Sequence, residues 1–171
     1  MARLQLTGVL LVGGASTRFG SPKALAVLGG ETLAARAWRV LEEACDEVLA
    51  VGKVSDALPL PFPFVDDGTP DRAPVYGVIA GLSAATHDVV VFLPVDCPLV
   101  TAALLRELAD ALAVPQTGPL PGAYATSMLP ELRARVSRGE LSLRGLNPNA
   151  IDVDERLLAD VDVPSDLARI S

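Results

Sequence analysis

The apolar run from Gly8 to Val12 stops at two adjacent glycines, Gly13 and Gly14, and passes into Ala15-Ser16-Thr17-Arg18-Phe19-Gly20-Ser21-Pro22-Lys23. An uninterrupted apolar run of this length reads as a strand buried on both faces. Such strands belong to parallel sheets covered by helices, so this one stretch points to an α/β fold. The glycines let main-chain N–H groups turn inward and let a bulky anion approach the backbone. Ser16 and Thr17 add hydroxyl donors, Arg18 a planar fork of donors, and Lys23 a compact positive charge. Together they suit a polyphosphate. The spacing is not that of a Walker loop, because Gly14 and Gly20 are too far apart and Lys23 does not directly follow a glycine. Nor is it a dinucleotide fingerprint, because the glycines are adjacent and Pro22 lies in the loop. The bland alternative is an ordinary glycine-rich turn between strand and helix, but a turn does not need two flanking cations.

The rest of the chain alternates strands and helices. Gln5 to Val12 is expected as the first strand, Ala26 to Glu31 as a short turn, and Thr32 as the cap of a helix carrying Leu33, Ala37, Val40, Leu41 and Ala44. Trp38 on that helix reads as packing. Strands follow at Glu47–Val51 and Phe64–Val65, separated by the proline-laden surface stretch Leu58–Pro63. Val75–Ala85 reads as a small-residue helix whose glycines imply close approach to a neighbour or ligand. Val89–Leu93 is the clearest buried strand, followed by a helix from Ala102 to Ala113 capped by Thr101. Gly122–Thr126 is expected as a strand and Leu129–Arg138 as a helix ending near Gly139. A short helix is expected to start within Ser142–Leu146, a last strand to end at Asp160–Pro164, and a last helical turn to span Ser165–Ile170. The pattern predicts a three-layer α/β/α sandwich with a mainly parallel sheet.

Composition narrows the partners. At 171 residues the chain is expected to be one domain, and with half its residues hydrophobic it has enough apolar material for a sizeable core. The formal charge of -7 and the lack of a basic stripe argue against a nucleic-acid partner. An anionic ligand must then be held by local cations. Lys23 and Lys53 are the only lysines, so a lysine in the glycine loop carries weight. Cys45 and Cys97 lack metal-ligand spacing, and Cys45 reads as core. No run is long enough to span a bilayer and no signal peptide is visible, so a cytoplasmic protein with reduced thiols, away from membranes, is expected.

Ligands of parallel sheets sit at the carboxyl ends of the strands. Three polar features fall there: the Gly13–Lys23 loop, Asp66-Asp67, and Asp96. They offer cations for phosphate and carboxylates for a hard metal such as Mg²⁺, which takes one or two carboxylates plus substrate phosphates. Asp96, at the end of the most buried strand, is the best ligand candidate; the alternative is a turn aspartate before Pro98.

Leu11-Val12-Gly13-Gly14, Arg18-Phe19-Gly20 and Pro22-Lys23-Ala24-Leu25 resemble the signature of the nucleotidyltransferases with a Rossmann-like fold, L-x-G-G-x-S-x-R-[MF]-G followed by K-A-L. Within that family the chain is most similar to the molybdenum cofactor guanylyltransferase branch. The related cytidylyltransferases tend to carry L-A-A-G at the first element. Asp96-Cys97-Pro98 is similar to the family's D-x-P element, which implies that Asp96 coordinates Mg²⁺. Gly77-Val78-Ile79-Ala80-Gly81 resembles G-P-L-A-G with Val78 for proline. The resemblance implies nucleotide contacts from Leu11, Val12, Gly13, Lys23, Asp96 and Asp67, with Asp66 an alternative to Asp67; the chemistry of the loop itself adds Gly14 and Ser16. Read for phosphate chemistry, the loop gives Arg18 and Lys23 the catalytic role of holding the triphosphate, and Asp96 takes that of holding the metal.

Pro119–Tyr124 and Gly139–Arg144 are similar to two further family elements. Asp160-Val161-Asp162-Val163-Pro164 stands where the family has N-x-N-T-P. That departure bears on the acceptor side, and Asp162 is either a second metal ligand or a solvated strand end. The implied reaction is transfer of GMP from GTP to the phosphate of molybdopterin, with transient contact to other cofactor-biosynthesis proteins. The alternatives are a relative using CTP, one acting on a sugar phosphate or phospholactate, and a non-catalytic nucleotide-binding module.

Overall fold

A computed structural model describes residues 2–13 and 19–170. Strand β1 (Leu6–Leu11) coincides with the first apolar run. The stretch expected as a plain turn is a small hairpin, β2 (Val27–Leu28) and β3 (Glu31–Thr32). Gly29 and Gly30 bend it at φ +60° and +83°, the left-handed backbone that a two-residue hairpin loop requires. Helix α1 (Leu33–Ala44) follows, then β4 (Glu47–Gly52), β5 (Phe64–Asp66), α2 (Pro74–Ala84), β6 (Val89–Pro94) and α3 (Ala102–Ala111). The last third holds β7 (Val114–Pro115), β8 (Gly122–Ala125), α4 (Leu129–Ser137), β9 (Ala150–Ile151) and α5 (Ser165–Ile170). Both foreseen caps are present: the Thr32 hydroxyl accepts from the Ala35 N–H and that of Thr101 from the Leu104 N–H, each at 3.1 Å.

The main sheet runs β5-β4-β1-β6-β8, with the first four strands parallel and β8 antiparallel at the edge. On one face Leu6, Leu10, Val91 and Leu93 pack with Leu33 and Leu41 of α1 and Leu104, Leu105 and Leu108 of α3. On the other, Val9, Val90 and Phe92 pack with Val75, Val78 and Leu82 of α2 and Leu132 of α4. Helices thus cover both faces, the three-layer α/β/α arrangement expected of a buried parallel sheet. The small residues of α2 serve this packing. A Cβ on Gly81 would come within 2.6 Å of the Phe92 ring, and one on Gly77 within 2.8 Å of Leu11.

Two local expectations fail, and one strand pair is unanticipated. Ser142–Leu146 forms turns, with no helix. Asp160–Pro164 is not a strand: the Val161 N–H bonds to the Asp96 carbonyl at 2.8 Å, a backbone tie to the loop after β6 in place of a ladder. The parallel pair β7–β9 lies outside the main sheet and was not foreseen, because two-residue strands carry no period to read.

Trp38 packs, as expected, stacking on Phe62 with ring centroids 4.2 Å apart. Both cysteines are free. Burial pushes the Cys45 thiol up to about 12, and burial together with the neighbouring Asp96 carboxylate pushes Cys97 upward too. Since the thiolate is the reactive form, neither cysteine of the folded protein is expected to react with an aromatic disulfide reagent at about pH 8. Prompt release of the coloured thiol before denaturant is added would contradict this.

Candidate functional site

Strand register builds the site. Leu11 is level with Val51 on one side and Pro94 on the other, and Gly52 is level with Asp66. The hydrogen bonds run one step further: Val12 N–H to Val51 O, Val95 N–H to Leu11 O, and Asp67 N–H to Gly52 O, at 2.9–3.0 Å. The residues just past four parallel strands therefore stand in a row along one sheet edge: Asp67 after β5, Lys53 after β4, Gly13 after β1, Asp96 after β6. A cavity of about 470 Å³ opens along that row. Leu11, Val12, Gly13, Val51, Gly52, Ala73, Pro74, Gly77 and Leu120 give it apolar walls, and Lys23, Lys53, Asp67, Arg72 and Asp96 supply charge.

At the β6 end the Lys23 ammonium lies 3.6 Å from Asp96 Oδ2 and 3.4 Å from Asp162 Oδ1. Asp96, Asp160 and Asp162 bring carboxylate oxygens within 4.8 Å of one another. Burial raises the Asp96 carboxyl above its ordinary range; the Lys23 charge opposes the shift, and the Asp160 and Asp162 carboxylates reinforce it. Among the described residues one ammonium faces three carboxylates, and these are the hard oxygen donors that a divalent cation takes.

At the β5 end Asp67 and Asp66 have different surroundings. Asp67 lines the cavity and pairs with Lys53 at 2.7 Å. Asp66 is exposed and closes the local turn, accepting from Val54 N–H at 2.9 Å and Gly68 N–H at 3.0 Å; those two bonds hold its carboxyl below the usual range. Of the neighbouring aspartates, Asp67 faces the cavity.

The cavity thus brings together Leu11, Val12, Gly13, Lys23, Asp67 and Asp96. Gly14, Ser16 and Arg18 lie outside the described residues.

A model of the MobA-like NTP transferase domain matches residues 8–147. The chain belongs to the MobA-like NTP transferase family. A protein of Chloroflexus aggregans named "Probable molybdenum cofactor guanylyltransferase" is 35% identical over 158 residues, covering 82% of this chain and 76% of its own. The fold matches molybdopterin-guanine dinucleotide biosynthesis protein A of Archaeoglobus fulgidus with a TM-score of 0.74, at 20% identity and 96% coverage of each chain. A Mycobacterium tuberculosis protein crystallised with manganese matches with a TM-score of 0.65, at 23% identity over 97% of each chain.

Three residues of this MobA-like domain escaped the sequence reading. Asp160 joins the carboxylate group, and the D-x-D of Asp160-Val161-Asp162 was the available signal. Arg72 lines the cavity while paired with Asp56 at 2.7 Å. Lys53 lies on the cavity wall and was signalled only by following a parallel strand directly. Among the described residues no helix is long and apolar enough to cross a membrane.

Proposed function

We propose that residues 1–171 form a single cytoplasmic nucleotidyltransferase domain that transfers GMP from GTP to the phosphate of molybdopterin, with or without molybdenum bound. The observation that carries this reading is one cavity lined by Lys23 and Asp96 at one end and by Asp67 at the other. Their strands lie three sheet positions apart, so at roughly 4.8 Å per strand the two ends are separated by about 14 Å. That span suits a nucleoside triphosphate lying across the strand ends, phosphates at β6 and base at β5. Leu11, Val12, Gly13, Gly52 and Pro74 line the middle and suit the ribose and base faces.

The base choice follows from chemistry. A carboxylate accepts hydrogen bonds and donates none. Guanine presents two adjacent donors, N1–H and the 2-amino group, on one edge, whereas adenine and cytosine present a donor beside an acceptor. Asp67 at the base end therefore favours guanine. The relatives' names agree with GTP as donor and molybdopterin as acceptor.

In the reaction an oxygen of the acceptor phosphate bonds to the α-phosphorus of GTP. The bond from that phosphorus to the α–β bridging oxygen breaks in line, and pyrophosphate leaves with the electron pair. No covalent enzyme intermediate is needed, so rate enhancement comes from positioning and charge neutralisation. Lys23 and Arg18 neutralise the triphosphate, with Gly14 and Ser16 completing the phosphate loop. Asp96, with Asp160 and Asp162 beside it, would hold Mg²⁺; bound there, the ion supplies further charge neutralisation at the reacting phosphates. Lys23 already rests against this group, so it can turn from carboxylate to phosphate with little movement.

The test is to mix the protein with molybdopterin, Mg²⁺ and one triphosphate at a time, following pyrophosphate and the dinucleotide product. GTP is expected to give both, and CTP, ATP and UTP little. Release with CTP in preference to GTP, or tight GTP binding with no pyrophosphate, would overturn the assignment. Lys23→Ala is expected to lower turnover by about a hundredfold, the scale for losing one charge-stabilising contact. Unchanged turnover would remove Lys23 from the phosphate site.

A further inference from the structure

Lys53 is a cation in a cavity proposed to bind a triphosphate, yet its geometry is wrong for a phosphate ligand. An ammonium has three protons to give. Here Asp67 Oδ2, the Thr69 carbonyl and the Asp71 carbonyl each lie 2.7 Å from Nζ. All three protons are therefore taken up within the protein. The side chain is 6% exposed, so its charge is turned inward.

The three acceptors belong to one loop, Asp67 to Asp71, which leaves β5 and runs to Arg72, Ala73 and the start of α2 at Pro74. Lys53 sits at the end of the neighbouring strand β4. It therefore ties the loop to the sheet edge at three points. One of these fixes an oxygen of the Asp67 carboxylate, while the other oxygen accepts the Thr69 N–H at 3.3 Å. A carboxylate held at both oxygens by its own loop and strand cannot rotate freely. A rigid carboxylate discriminates between hydrogen-bonding edges better than a mobile one, because it cannot adjust to a wrong edge.

We propose that Lys53 is the positioning residue for base selection: it aims the Asp67 carboxylate into the cavity and so sets the preference for a purine edge carrying two donors. The proposal rests on the reading that the base lies at Asp67. It assigns Lys53 no contact with the nucleotide.

The probes are GTP, inosine triphosphate, which lacks the 2-amino donor, and CTP, each assayed in the pyrophosphate-release reaction. In Lys53→Met the preference for GTP over inosine triphosphate is expected to fall by about tenfold or more, the scale of a lost hydrogen bond to a charged group. The change is expected in KM, with kcat for GTP within about threefold of the parent. Asp67→Asn should show the same loss, and the double variant no further loss, since both act through one contact. A purely structural Lys53 would lower the melting temperature and the active fraction while leaving the ratio of nucleotides intact.

Removal of a buried charge can prevent folding, so Lys53→Arg is the companion variant. It keeps the charge, but its planar fork cannot deliver single protons to the same three acceptors. A smaller fall in the ratio is expected there. An unchanged ratio in whichever variant folds overturns the role of Lys53. A parent protein that does not distinguish GTP from inosine triphosphate or CTP overturns instead the placement of the base at Asp67.

Discussion

Asp96→Asn is expected to lower GMP transfer by about 10²- to 10³-fold while leaving the melting temperature unchanged or raising it. The two halves of this result have one cause. Asp96 is a partly buried carboxylate whose ionised form is disfavoured by desolvation and by Asp160 and Asp162 nearby, with Lys23 opposing. Asparagine has nearly the same shape and no charge, so it relieves that repulsion. The same change removes one of the three carboxylates that could hold a cation at the β6 end and a counter-charge that rests against Lys23 at 3.6 Å. Stability and activity therefore move in opposite directions, as expected where a fold tolerates an unfavourable charge for function. Calorimetry with steady-state kinetics on the same preparation checks both halves. A variant that loses stability in proportion to activity would mean that Asp96 is a packing residue.

The largest expected loss of stability lies away from the cavity, at Phe92. Its side chain is fully buried in β6, against the bare backbone of Gly81 on α2 and edge-on to Tyr124, with centroids 5.8 Å apart. Phe92→Ala removes that ring from the junction of β6, β8 and α2, and is expected to cost about 3–5 kcal/mol. For a chain of this size each kcal/mol corresponds to roughly 2–4 °C, so the melting temperature should fall by about 10 °C. Phe92→Leu should cost less, since most of the volume is kept. Gly81→Ala overfills the same spot, because its Cβ would meet the ring at 2.6 Å; about 1–3 kcal/mol is expected. Combined with Phe92→Leu, its cost should be less than the sum, because the smaller side chain frees the space that the methyl needs. Thermal denaturation of the four variants checks the series. Strict additivity would show that the helix and ring do not compete for this volume.

Much of the architecture was legible because buried parallel strands leave unbroken apolar runs. Gly8–Val12 and Val89–Leu93 each mark a strand that neighbours cover on both faces. Thr32 and Thr101 mark helix starts because their hydroxyls satisfy an N–H that the helix leaves open. Asp160–Pro164 misled for a physical reason. Val161 is fully buried between two outward aspartates, which reproduces the alternation of a strand, yet no neighbouring strand supplies a ladder. Burial of one side chain sets that alternation whether or not the backbone pairs. The β7–β9 pair, two residues on each side, depends on contacts that no local pattern records.

The site divides in the same way. Lys23, Asp67 and Asp96 could be named because strand ends and family motifs point to them. The part proposed for Lys53 has no local signal, since its three acceptors come from one loop 14 to 18 residues further on. Asp160 reaches the carboxylate group only because a segment after the last β-strand folds back on the loop after β6.

A crystal structure with a non-hydrolysable GTP analogue and Mn²⁺ locates the nucleotide on the strand ends. Manganese scattering is expected beside Asp96, phosphates at Lys23, and the guanine edge against the Asp67 carboxylate. A nucleotide lying the other way along the strand ends, or seated outside the cleft between β5 and β6, would contradict this placement.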